Sequence, residues 1–315
     1  MTRRDLLKLG GMVAINRIEF PLFLSDRPRR SLRLAVITDV HHGLAPDASM
    51  RLDSFVEVVT KRKDIDLVIQ LGDFCHAEPA STAFMKKFHD LKPPKIQVLG
   101  NHDMDKCDKE TAMKFWAMKS RYGKTDVGDF TFVWLDLNHF KKGGQLFDYD
   151  KGNYFTDNAT HNWADPEQLR WLESTLAKTR KPVILLSHQP LGFAEANQSM
   201  PPEQVEIIEI VTKAAKKNPK GAVALSMFGH LHVDRLEHVE GIPFYCLNSA
   251  SYFWSSGMWP YGKPLFAFME ITTDGKLVVE GVQGEFVKTP PTASDKVKGR
   301  SASISNRELP VHQNK

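Results

Sequence analysis

Apolar residues along this chain gather into short dense runs that alternate with stretches of helical period. The runs RLAVIT (33–38), DLVIQL (66–71), KIQVL (95–99), PVILLS (182–187) and AVALSMF (222–228) are rich in Val, Ile and Leu. Such runs read as strands buried on both faces. Between the first two, Leu52, Phe55, Val56 and Val59 recur at i, i+3, i+4 and i+7, one face of an amphipathic helix. Further helices are expected over 80–91, 109–120 and 202–217, and a strand over FTFVWLDL (130–137). Asp165 reads as an N-cap with Pro166 at the first helical position, followed by a buried stripe of Leu169, Leu172 and Leu176. After residue 230 the helical period stops. HVDRLEHV (232–239), IPFYCLN (242–248), PLFAFMEIT (264–272) and KLVVEGV (276–282) read as strands, with turns at Glu240-Gly241 and Asp274-Gly275. Strand–helix units followed by a strand-rich end predict a layered α/β sandwich, not a simple doubly wound sheet.

The ends of the chain break this pattern. Segment 1–30 contains Arg3-Arg4 ahead of an apolar stretch and resembles a twin-arginine export leader. Asn16, Arg17 and Glu19 interrupt that stretch, so export and a cytoplasmic location both stand as expectations. Residues 286–315 are rich in Pro, Ser, Lys and Asn with almost no periodic apolar positions, and are expected to form a disordered tail. Residues 31–285 are then expected to form one domain. A length of 315 residues suffices for one sizeable core.

Composition and charge narrow the picture by exclusion. A formal charge of +4, dispersed along the chain, does not argue for a nucleic-acid partner. No apolar run reaches the length of a membrane span. Cys75, Cys107 and Cys246 show no CxxC pair and read as small buried hydrophobes.

Candidate chemistry sits directly after the five apolar runs. Asp39-Val40-His41, Gly72-Asp73, Gly100-Asn101-His102-Asp103, His188 and Gly229-His230-Leu231-His232 follow them in order. A potential ligand at the end of each buried strand converges on one sheet edge, which predicts a metal site. Imidazole and carboxylate donors without cysteine suit Fe, Mn or Zn in a catalytic setting. On a regular strand, His230 and His232 would share one face.

Over residues 33–282 this ordered set resembles the signature of the calcineurin-like metallophosphoesterase superfamily. Within it, the layout is most similar to bacterial cyclic-nucleotide phosphodiesterase-type members. The resemblance implies a four-layer α/β/β/α sandwich with two mixed β-sheets. It implies two divalent or trivalent metal ions, one held by Asp39, His41 and His232, the other by Asn101, His188 and His230, with Asp73 bridging. It further implies a phosphoester hydrolase, with phosphodiester as the expected substrate and a metal-bridging hydroxide as nucleophile. The alternatives are a phosphomonoesterase and a catalytically inactive scaffold of the same fold; a small-molecule phosphoester is the implied partner. His102 would stay off the metals and protonate the leaving group, with Asp103 orienting it.

Some residues fall outside that assignment. Family members often carry GDxxD or GDxxN, whereas this chain has Gly72-Asp73-Phe74-Cys75-His76. His76 is read as a residue behind the ligands or on the surface, and His42 as a neighbour of His41 with a phosphate contact as its sharper reading. The 140–152 segment, with Lys141-Lys142-Gly143-Gly144, is expected to be a mobile loop over the site. Tyr252, Phe253, Trp254 and Trp259 are expected to pack in the core, with a wall for an apolar part of the substrate as the alternative.

Overall fold

The computed structural model describes residues 30–193, 200–254, 258–287 and 301–311. Apart from Arg30, the leader-like segment lies outside the described residues, and the side chains of Phe253 and Trp254 do too.

Two six-stranded sheets form the frame. The first contains β1 (Leu32–Ile37), β2 (Leu67–Gln70), β3 (Lys95–Gln97), β15 (Ala267–Ile271), β16 (Lys276–Gly281) and β17 (Arg307–Pro310), in the order β17-β16-β15-β1-β2-β3. β1, β2 and β3 pair in parallel, and the other three join antiparallel. The second contains β4 (Gly123–Val127), β5 (Phe130–Trp134), β9 (Val183–Leu186), β10 (Val223–Phe228), β11 (Arg235–Val239) and β12 (Ile242–Cys246), in the order β11-β12-β10-β9-β5-β4. Its four central strands are parallel and its two edges antiparallel. Two small sheets complete the set: β6 (His139–Lys142), β7 (Gln145–Asp148) and β8 (Thr160–His161) in one, β13 (Tyr252–Trp254) and β14 (Met258–Pro260) in the other.

Alternation along the strands produces the layers. In β1, Leu34 and Val36 point into a core shared with Ile184, Leu186, Leu225 and Met227 of the second sheet. Ala35 and Ile37 point the other way, onto Leu52, Phe55 and Val59 of α1 (Ala48–Lys61) and Phe84 and Phe88 of α2 (Thr82–His89). α3 (Lys109–Phe115) closes the same layer through Ala112. On the opposite side, Val183 and Leu185 meet Leu169, Leu172 and Leu176 of α4 (Pro166–Lys178) and Ile207 and Val211 of α5 (Pro202–Lys217). The result is the expected four-layer α/β/β/α sandwich. Asp165 caps α4, its Oδ1 accepting from the amides of Glu167 and Gln168 at 2.8 and 3.0 Å. Among the described residues no helix is long and apolar enough to cross a membrane.

Several boundaries differ from the sequence reading, each for a local reason. The helix expected over 109–120 stops at Phe115, because Ala117 turns left-handed (φ 54°) and the Met118 amide donates to Met113 O at 2.9 Å. The expected mobile loop is instead a β6–β7 hairpin. Gly143 and Gly144 adopt φ of 59° and 81° in its two-residue turn, and Phe140 stacks on Phe147 across it with centroids 5.2 Å apart.

The expected disordered tail is also corrected. Residues 301–311 return to the first sheet, where β17 pairs with β16 and Ile304, Leu309 and Val311 are buried. Arg307 Nη2 and the Ser305 amide both donate to Asp234 Oδ2, at 2.7 and 2.9 Å. So short a segment needs few apolar side chains, which is why no hydrophobic period marks it. Residues 288–300 and 312–315 lie outside the described residues. Ile304→Ala is expected to lower unfolding free energy by about 2–4 kcal/mol in urea titration. A loss below about 0.5 kcal/mol would remove this segment from the core.

Candidate metal centre

The parallel register of β1 and β2 continues past their ends and positions the first two motifs. The Asp39 amide donates to Gly72 O at 3.0 Å and the His41 amide to Asp73 O at 2.9 Å. Asp39, His41, Asp73, His230 and His232 all adopt left-handed backbone, with φ of 54°, 57°, 49°, 66° and 51°. That conformation costs a non-glycine residue about 1–2 kcal/mol, so the surroundings must impose it. His230 and His232 consequently do not lie on a strand, as the sequence reading assumed. β10 ends at Phe228, and the turn itself aims both rings.

Close approach requires glycine in the motifs, Gly72 and Gly229 among them. Gly72 has φ 99°, and a Cβ there would lie 2.5 Å from the His188 ring. A Cβ on Gly229 would lie 2.2 Å from Thr38 Oγ1 and 2.3 Å from Asp39 Oδ2.

Two clusters result. In one, His232 Nε2 lies 3.0 Å from Asp39 Oδ1 and 3.1 Å from His41 Nε2. In the other, His188 Nε2 lies 3.1 Å from Asp73 Oδ2 and 3.3 Å from His230 Nδ1. Within each cluster the candidate ligand atoms all fall within 4.8 Å of one another. Asp73 sits between them, its Oδ2 also 3.9 Å from His41 Nε2. Asn101 Oδ1 is buried without a hydrogen-bond partner. Two sets of converging imidazole nitrogens and carboxylates, with an orphaned amide oxygen at the end of the third motif, form a donor set that fits a dinuclear centre.

The electrostatics agree. Burial alone pushes the Asp39 carboxyl up, but His232 and His188 opposite outweigh it and hold it down at about 2. Burial drives His41 and His230 down to about 3. His188 is also penalised by burial, yet Asp73 and Asp39 raise it to about 9.

His102 comes with these clusters but is not a member of either. Its amide donates to Asp73 Oδ1 at 2.8 Å, and its Nδ1 lies 2.9 Å from Asp105 Oδ2. Burial works against its charge, but Asp73 and the bond to Asp105 raise its pKa to about 9. The expectation that Asp103 orients this ring is corrected. Asp103 accepts four backbone amides instead, from Gly100 and Asp73 at Oδ2 and from Phe74 and Cys75 at Oδ1, at 2.7 to 3.2 Å. It staples the second motif to the third. The cause is a 3₁₀ turn at His102–Met104, in which i and i+3 eclipse, bringing Asp105 rather than Asp103 under His102. That spacing was the available sequence signal for Asp105.

The two other candidate histidines, His76 and His42, lie outside both clusters. Buried His76 places Nε2 3.4 Å from Asp105 Oδ2, so it is neither a surface residue nor within either cluster. His42 Nδ1 pairs with Ser81 Oγ at 2.9 Å and its ring stacks on Phe84. Four supporting side chains had no motif to mark them. Tyr154 OH donates to Asp105 Oδ1. Ser249 Oγ donates to Asp39 O at 3.0 Å and Ser251 Oγ to Val40 O at 2.6 Å. Asn138 Nδ2 donates to Leu99 O at 2.9 Å and its Oδ1 accepts from Gln189 Nε2 at 2.5 Å, linking the third and fourth motifs. Tyr252 packs as expected, its OH donating to Asp47 Oδ1 at 2.6 Å, and all three cysteines are buried and free.

A two-sheet sandwich carrying a dinuclear centre at its strand ends defines a metallohydrolase of the phosphoesterase class. The model of the calcineurin-like phosphoesterase family matches residues 32–234, and the chain belongs to that family. It is a phosphoric-ester hydrolase by that membership. No curated protein matches its sequence. Among solved structures, a dimetal phosphatase from Danio rerio is similar at 15% identity and a TM-score of 0.59, over 81% of this chain and 98% of the other. GAP50, the anchor in the inner membrane complex of Plasmodium, is similar at 16% identity and 0.56, over 91% of each. PhoD is similar at 12% identity and 0.51, over 86% of this chain and 69% of the other. These likenesses concern the fold; the clusters concern the chemistry.

Gly229→Ala tests the geometry. The added methyl must displace Thr38 or Asp39, and bound metal per chain is expected to fall by at least half when measured by elemental analysis. Full occupancy would show that the turn has room to relax.

Proposed function

We propose that this protein hydrolyses the phosphodiester bond of a small molecule, with His102 as the proton donor to the leaving oxygen. The observation that carries this reading is the position of His102, beside both clusters but in neither, with Asp105 holding it. Asp39, His41 and His232 are assigned to one ion, Asn101, His188 and His230 to the other, and Asp73 to both. Two ions held there, of the Fe, Mn or Zn type, would supply Lewis acidity and a readily deprotonated water.

The chain's own residues do the rest. With Nδ1 committed to Asp105, His102 presents Nε2 as the proton-transferring atom. The Asp105 carboxylate against Nδ1 favours the charged imidazolium, which suits donation to a departing alkoxide. Asp105 fixes the ring's tautomer, and Tyr154 fixes Asp105. Asp103 acts only on the backbone, and its role in the mechanism is to keep the second and third motifs in register.

The acid role makes a graded prediction. His102→Ala is expected to reduce kcat on an alkyl ester by about 100-fold or more while sparing a nitrophenyl ester, whose leaving group needs no proton. Asp105→Asn should reproduce that split more weakly, with metal content retained. Equal losses on both esters would remove the acid role. The bridge is tested separately: Asp73→Asn should lower both metal content and activity, and full metal occupancy in that variant would refute it. A panel of matched mono- and diesters, with Mn, Fe and Zn each added back, decides the ester class. Faster turnover of the monoesters would overturn the diesterase assignment.

A further inference from the structure

A proton donor marks where the leaving group sits, so exposed residues beside the His102 ring are candidates to border that group. The one that stands out is Phe155, 72% exposed and the most exposed large apolar side chain among the described residues. Its ring centroid lies 6.2 Å from that of His102 and 4.3 Å from that of Tyr154.

Exposure alone would mean little, since single apolar residues are common on surfaces. The mounting of this ring is the second observation. The turn carrying it is pinned to the His102 turn by the Gly152 amide donating to Met104 O and the Lys151 amide donating to Cys107 O, both at 3.1 Å. The Phe155 amide closes the turn onto Gly152 O at 3.2 Å. Tyr154 is held by Asp105 through its hydroxyl, by the Tyr149 ring at 4.5 Å, and by His161 Nε2 at its carbonyl at 2.7 Å. A phenyl ring kept in water on a rigid mount beside the acid is preorganised for a partner.

We infer that Phe155 is the wall of a leaving-group subsite, and that the preferred ester carries a planar ring on its leaving alcohol. Aromatic faces favour offset or edge-on contact with another ring over an equally large saturated group. This inference rests on the phosphoester reading with His102 as acid.

The test separates the two by measuring binding without turnover. Full-length protein loaded with Mn²⁺ is titrated calorimetrically with benzylphosphonate and with cyclohexylmethylphosphonate, in which carbon replaces the leaving oxygen. The benzyl ligand is expected to bind about three- to tenfold more tightly. Phe155→Ala should abolish that preference and Phe155→Trp should keep it. Adenosine monophosphate against ribose 5-phosphate forms the second pair. A preference there too assigns the ring to a nucleobase, and one confined to the benzyl pair assigns it to an aryl group. Equal affinity of the native protein for both phosphonates, or a preference untouched in Phe155→Ala, overturns the subsite. Failure of both phosphonates and of their monomethyl esters to bind the metal-loaded protein would instead remove the small-molecule phosphodiesterase reading beneath it.

Discussion

Two buried carboxylates, Asp39 and Asp73, set the terms for the rest of this molecule. Both are almost wholly removed from water, and they are held at the ends of adjacent parallel strands. Buried charge left unpaired costs several kcal/mol, so the site must surround them with positive charge. The imidazoles of His41, His188, His230 and His232 turn ring nitrogens toward them, and a pair of cations would complete the balance. The donors must also be immobile, because a carboxylate free to swing would find water or a surface lysine. Immobility comes from backbone: the strand ladder continues into the loops, Asp103 ties four amides, and Ser249 and Ser251 hold the carbonyls of Asp39 and Val40.

The same requirement explains why the sandwich has two sheets. Asp39, His41, Asp73 and Asn101 follow strands of the first, whereas His188, His230 and His232 follow strands of the second. The distance between the two halves of each cluster is therefore set by the core between the sheets, where Leu34, Val36 and Ile69 meet Ile184, Leu186, Leu225 and Met227. Interiors packed to crystal density transmit small volume changes instead of absorbing them. Residues far from the metals thus take part in metal spacing. The network from Lys109 through Asp136 and Asn138 to Leu99 O adds a polar link of the same kind.

Much of this was legible before any coordinates. Strands buried on both faces need unbroken Val, Ile and Leu, so the five apolar runs mark them, and residues directly after such runs must emerge at one sheet edge. What escaped was any feature created by a turn. His230 and His232 looked like a strand pair, but their left-handed backbone aims them instead. Asp103 and Asp105 are both acidic and close to His102 in sequence, and only the tightness of a 3₁₀ turn decides which carboxylate lies beneath the ring. The tail escaped because four buried residues, Ala302, Ile304, Leu309 and Val311, are too few to make a period.

By itself, the sequence determines the layered class, the order of the strands along the chain and the chemical identity of the donors. These follow from side-chain type and local period. Only the tertiary structure decides which donors share an ion, which carboxylate positions the acid, and that Phe155 stands beside it. Those relations join residues as far apart as Asp39 and His232, or Asp105 and Tyr154. Distance in space across such separations is set by sheet packing and turn geometry, which no local pattern encodes.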